Sequence, residues 1–333
     1  MNDTDPAIVI SFCTVAVIGV AIAVIRAWFK GRKDRAAQAA AQAAAPQARF
    51  GSAADESIDL EKYAEHHHPH WSPNAARLGE DPVDWAMLIG APFALCRGDF
   101  NDVLLFQDAG FERKILSEAW GVSDRASLLR SMFNLHASGH RTVYQHEIRS
   151  WSAMDQEQAQ RQEQSMKHSP EALWRLRRVR ANDRNINAVD FLAWDYIRFA
   201  MLARSGATAG YISQAEAIDF LLMIAQDIKA HYSSWAELGE HFHAGRWYWN
   251  SQGGEGEADL LAHDISRQHV LLGDNGPWSF LAWNIDTPPS RLLFADAVFE
   301  AGVRTVEFPP AHAPEASVQA VYERLAELTA RQG

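Results

Sequence analysis

After about residue 80, large apolar side chains recur at intervals of three and four, the spacing that lines them along one face of an α-helix. The clearest run, residues 193–249, divides into three helices. Val189, Leu192, Tyr196, Phe199, Ala200 and Ala203 form the buried stripe of the first, with Asp195 and Arg198 on its flank, three apart and close enough to pair. Gly206 and Gly210 stand where a left-handed residue would end that helix. Ser213 with Glu216, and Ser234 with Glu237, precede apolar runs with the spacing of capping boxes, in which hydroxyl and carboxylate each satisfy an otherwise orphaned amide.

The same spacing predicts further helices on both sides. Trp85, Met87, Leu88 and Phe93 follow Pro82, with a break at Pro92. In residues 121–141, Ser123 or Asp124 caps, Leu128, Leu129, Met132 and Leu135 form a stripe, and Gly139 closes it, which leaves His140 and Arg141 just past a helix end. Residues 153–168 are almost wholly polar and read as an exposed helix or loop. Ser169 and Pro170 restart a helix, and after a loop at 251–257 a shorter one runs from Ala258 to about Gln268, ahead of a turn at Gly276 and Pro277. The tail predicts a helix near Arg291–Glu300, a short strand at Arg304–Phe308, and a terminal helix from Glu315 to Arg331 striped by Val318, Val321, Leu325 and Leu328. One strand makes no sheet. The expected class is mainly α, an irregular multi-helix bundle with a minor β element near the C-terminus.

One apolar stretch has no such period. Ala7 to Ile25 is nineteen residues without a charge, enough to cross a hydrocarbon core at about 1.5 Å per residue. Trp28 and Phe29 follow as an interfacial belt, then Lys30, Arg32, Lys33 and Arg35. The acidic Asp3 and Asp5 ahead of the run argue against a cleaved signal peptide. The expectation is a single-pass protein of the inner membrane. Residues 1–6 lie outside, 7–29 form the transmembrane helix, 30–58 a basic then Ala/Gln-rich linker, 60–290 a cytoplasmic helical domain, and 291–333 an extension.

Composition narrows the chemistry. With 333 residues, 47% of them hydrophobic, the chain can bury a large core. A net charge of −11 gives no general field for nucleic acid. The run Arg175, Arg177, Arg178, Arg180 and Arg184, interleaved with Leu173, Trp174, Leu176 and Val179, therefore reads as the solvated face of an amphipathic helix, and no nucleic-acid partner is expected. His66, His67, His68 and His70 are crowded but lack an accompanying acidic or cysteine ligand, and His241 and His243 fall on different helix faces. No metal and no cofactor are expected. Cys13 lies in the span and Cys96 in the domain, which fits a reducing compartment and no disulfide. GxxxxGK[ST], GxSxG, HExxH and CxxC are all absent.

Four ordered segments carry a resemblance: WGVSDRASLL with SGHR at 120–141, AWDYIRFAMLARSGATAGYIS with Glu216 at 193–216, SSWAELGEHFHAGRWYW at 233–249, and GPWSFLAW at 276–283. Together they resemble the bacterial family catalogued as domain of unknown function 1266, over about residues 83–285. Ala207 and Thr208 stand where that family is often bulkier. The resemblance implies a mostly helical cytoplasmic domain of unassigned activity.

Within the matched segments, His140, Arg141, Asp195, Arg198 and Arg246 form a candidate polar site, and Trp235, Trp249, Trp278 and Trp283 a candidate aromatic groove. Glu216 and Glu237 are explained as caps. His140, behind a helix C-terminus, is expected to be held protonated by the negative end of the dipole. Two readings follow. One is a scaffold or accessory module that binds a protein partner, with no catalytic residue assigned and the oligomeric state unset. The other is a hydrolase or transferase acting on an anionic substrate through His140, Arg141, Asp195, Arg198 and Arg246.

Overall fold

Residues 192–209 offer no polar face to solvent, and five other helices pack around them. The computed structural model describes residues 67–250, 257–311 and 313–332. In chain order its helices are α1 (Val83–Leu88), α2 (Ala91–Arg97), α3 (Ala109–Trp120), α4 (Arg125–Ala137), α5 (Gly139–Ser152), α6 (Gln156–Ser165) and α7 (Pro170–Ala181). Then come α8 (Leu192–Ala209), α9 (Gln214–His231), α10 (Trp235–Trp249), α11 (Glu257–Leu272), α12 (Pro277–Phe280), α13 (Leu293–Glu300) and α14 (Ala316–Gln332). Short 3₁₀ turns lie at Ala75–Arg77, Asp183–Ala188 and Thr305–Glu307. The protein is mainly α. Among the described residues the only β feature is an isolated bridge between His70 and Phe100.

Helix α8 touches α3, α4, α5, α9 and α10, and every residue of it except Thr208 is buried. The expected stripe is therefore a rod buried all round. It starts at Leu192, not Val189, because Phe191 adopts a left-handed conformation with φ 63°. Gly206 does not end it. A Cβ there would come within 2.3 Å of a Leu128 methyl, so the missing side chain lets α4 lie close, and the helix stops at Gly210, φ 82°.

Several boundaries depart from the periodic reading. Gly139 closes no helix; α5 begins there directly after α4, and His140 lies in its first turn. The strand expected at Arg304–Phe308 is the 3₁₀ turn Thr305–Glu307, since among the described residues no strand edge is there to pair with it. Helix α11 runs on to Leu272. The polar segment after residue 153 does form a helix, α6, with no buried residue. Of the two capping boxes, Ser213–Glu216 closes as drawn, with amide contacts of 2.8 and 3.2 Å. In the other, Ser234 caps the Glu237 amide, but the Glu237 carboxylate turns to the amide and hydroxyl of Ser233.

The C-terminal helices close the core. Phe294 of α13 is fully buried against the rings of Phe133, Phe199 and Phe220, and α14 packs on α13 and α9. The expected span 7–29, its flanks 1–6 and 30–58, and His66 lie outside the described residues. Among those described, no helix is long and apolar enough to cross a membrane.

Candidate functional site

Asp195 sits where α8 crosses the start of α5, and its side chain is fully buried. Its Oδ1 accepts from the His140 amide at 3.0 Å and Arg198 Nη2 at 2.5 Å. Its Oδ2 accepts from the Arg141 amide at 3.0 Å and Arg141 Nη1 at 3.2 Å. The two amides are orphan donors of the first turn of α5, so Asp195 caps that helix from a different one. Gly139, φ 54°, makes room: a Cβ would lie 2.0 Å from Oδ2. Arg141 completes the junction by donating to the carbonyls of Leu135 and His136 and to Glu315 of the tail. The segments SGHR and AWD are thus two halves of one joint.

The device recurs. Asp219 of α9 accepts from the amides of Arg291 and Leu293 and the hydroxyl of Ser290, setting the start of α13. Asp227 accepts from the Ser317 amide and hydroxyl at the start of α14, and from Tyr196. In each case hydrogen bonds to the carboxylate offset part of the cost of taking it out of water; at Asp227 burial still prevails over those from Ser317 and Tyr196 and raises the pKa.

His140 does not behave as its expected place past a helix end suggested. Burial, then the neighbouring Arg198 charge, push its pKa down to about 4, so the ring is neutral at pH 7. Its Nδ1 accepts from the Trp194 indole at 3.2 Å, which puts the proton on Nε2. Arg198 donates Nε to the Trp194 carbonyl, and its guanidinium lies 4.3 Å from the centre of the Trp194 ring and 5.9 Å from that of Trp120. Arg246 does not join them. It bridges α10 to α11 through Asp264 at 2.5 Å and the Leu260 carbonyl. The structure thus brings four of the five candidate polar residues together and leaves one apart.

The candidate aromatic groove is instead packed. Trp235 stands between Trp85, Trp278 and Trp283, with ring centres 4.5, 5.6 and 5.1 Å away, and the Lys229 ammonium covers Trp85 at 4.1 Å. Trp235 and Trp278 donate their indole N–H groups to the carbonyls of Leu281 and Leu88. Trp249 belongs to a different place and packs at a tilt against Trp194, ring centres 5.5 Å apart.

The basic run is a paired seam. Arg175 bonds Glu171 and the Tyr248 carbonyl, Arg177 bonds Glu163, and Arg178 bonds Asp183 and Glu257. Arg180 covers the carbonyls at the end of α5, and Arg184 lies over Trp247. His67 is buried against Ser266 and His263. Among the described residues no group of three or more His, Cys, Asp and Glu side chains is arranged to hold a metal ion.

Periodicity missed a second polar junction at the start of α8. Asp190 accepts from the Tyr232 hydroxyl at 2.6 Å and the Leu192 amide at 3.0 Å, and Tyr232 in turn accepts from the Ala193 amide. His241 Nδ1 lies 3.3 Å from the same carboxylate. Burial opposes the charge on His241, but Asp190 outweighs it and raises the pKa. These groups come from three segments, so no local spacing marks them.

Two proteins of Escherichia coli (strain K12) are similar to this chain. One, uncharacterized protein YbeR, is 27% identical over 149 residues, which cover 41% of this chain and 57% of that protein. The other, uncharacterized protein YbeU, is 21% identical over 164 residues, or 45% of this chain and 63% of that protein. The chain thus spans about three fifths of the length of these curated relatives. No solved structure matches. The segments that build the Asp195 junction, apart from Glu315, fall within the match at residues 115–283 to the family described as protein of unknown function (DUF1266), and the chain belongs to that family.

Proposed function

We propose that this chain is a helical binding module held at the inner membrane by residues 7–29, with its domain on the cytoplasmic side and a protein as its partner. One observation favours binding over catalysis. Asp195, the carboxylate best placed to act as a base, is fully buried and accepts from four donors. A base needs a lone pair within reach of a substrate proton, and here the lone pairs are engaged. The tether rests on the uncharged run Ala7–Ile25 and the basic residues behind it.

The second reading, a hydrolase or transferase on an anionic substrate, draws on the convergence of His140, Arg141, Asp195 and Arg198. One experiment separates them. The full-length chain, tagged at its C-terminus, is cross-linked in cells and purified from membranes. One protein captured at fixed stoichiometry, with the tag shielded from external protease in intact cells, is the expected result. Turnover of an anionic substrate that disappears in a folded Asp195→Asn variant would replace the binding reading with the enzymatic one.

A further inference from the structure

Resting on that binding reading, we infer that the outward side of the Asp195 junction recognises a carboxylate through Arg198 and His140, both fixed on the indole of Trp194. The edge of the indole bonds His140 Nδ1, and its face carries the Arg198 guanidinium. Arg198 is held on further sides by the Trp194 carbonyl at Nε and by Asp195 at Nη2, and its side chain is 8% exposed. Among the described residues, neither Nη1 of Arg198 nor Nε2 of His140 has a hydrogen-bond partner. His140 is half-buried and the Arg198 side chain keeps a small exposed edge, so the pair lies at the rim of the core. Trp120, whose ring lies 5.9 Å from the Arg198 guanidinium, and Trp249, packed on Trp194, are each half-buried.

A guanidinium already immobilised loses little freedom when it binds, and aromatic surroundings strengthen its hydrogen bonds. The donor set is one amino edge and one neutral imidazole N–H. That suits the two oxygens and single charge of a carboxylate. A phosphate would bring a third oxygen and a second charge with no donor assigned to them. The carboxylate would come from an acidic side chain or the chain end of the partner.

The test uses the full chain in detergent and ¹³C-labelled acetate at constant ionic strength, with binding read from line broadening. Saturable broadening that inorganic phosphate does not relieve is expected, weakened about tenfold in His140→Asn. That substitution keeps an oxygen where Nδ1 accepts from Trp194 and removes the Nε2–H, its amide N–H groups ending short, at the place of the ring's Cδ2, so it should melt like the parent. Arg198→Lys, which retains charge but not the fork, should weaken acetate similarly. A peptide with an internal glutamate and an amidated end, against one with only a terminal carboxylate, then identifies the source.

Absence of saturable broadening, competition by phosphate, or equal binding by a normally melting His140→Asn protein would overturn the inference. If acetate fails while the cross-linked partner is still captured, only the carboxylate site falls. If acetate binds and no partner is captured, the module reading falls instead.

Discussion

The two ends of α8 both bury charge, by opposite means. At the N-terminal end a carboxylate, Asp195, meets two backbone amides and two guanidiniums. At the C-terminal end a guanidinium, Arg204, meets the carbonyls of Leu104, Phe100 and Val103. There Phe106 has Arg204 and Arg97 at 4.4 and 4.5 Å from its ring centre. Glu112 faces Arg97 Nε at 3.0 Å, while Arg97 Nη1 and Arg204 Nη1 lack partners. Burial raises the Glu112 pKa, with Arg97 pulling the other way. A buried charge holds an architecture firmly when its hydrogen bonds are complete; the Asp195 carboxylate meets that condition and the Glu112 carboxylate does not.

The largest test of that contrast is Asp195→Ala. It strands Arg141 and Arg198 and uncaps α5, and should cost about 3–5 kcal/mol in urea unfolding. A loss under about 1 kcal/mol would show that the two ends are equivalent. Gly139→Ala acts on the same joint from the other side, through a left-handed backbone and a contact with Asp195, and should cost about 2 kcal/mol or more. Glu112→Gln removes a carboxylate whose charge is already disfavoured and keeps an acceptor for Arg97, so about 1 kcal/mol or less is expected. If it matched Asp195→Ala, the contrast would be gone.

Acid titration gives the finest resolution. Burial holds His136 and His243 at about 3, and His140 at about 4. Between those values and the ordinary 6.5 the unfolded chain binds more protons, so stability should fall as pH drops through that window. Glu112 has the opposite sign. Its folded pKa is raised, so the folded state binds its proton first and gains relative stability on acidification. Melting temperatures from pH 7 to 4 should therefore decline less steeply in His140→Asn and more steeply in Glu112→Gln. Parallel slopes in all three proteins would place the acid sensitivity elsewhere.

How much of this is legible without coordinates depends on the distance over which each signal acts. Ser213, Glu216 and Gly210 declare helix ends because capping is settled within four residues. Asp195 and Arg198 declare a pair for the same reason. Gly139 was misread as a stop because a terminating glycine and a glycine making room for a carboxylate 56 positions away look alike in one dimension. Helix α3 was not predicted although Phe111, Ile115, Leu116 and Ala119 recur at helical spacing, and that its buried face also takes Glu112 is visible only in the fold. The tryptophans suggested a groove because composition reports aromatic area without saying whether other side chains already cover it.

The amino-acid order alone determined the helical class, most helix starts and the family motifs, since hydrophobic period and caps are local properties. Only the tertiary structure decided that α8 is buried on every side, that aspartates on central helices cap outer ones, and that Arg246 stands apart from the Asp195 junction. Those depend on which orphan amide or carbonyl comes to lie beside which charge, and that is set by packing between segments far apart in the chain.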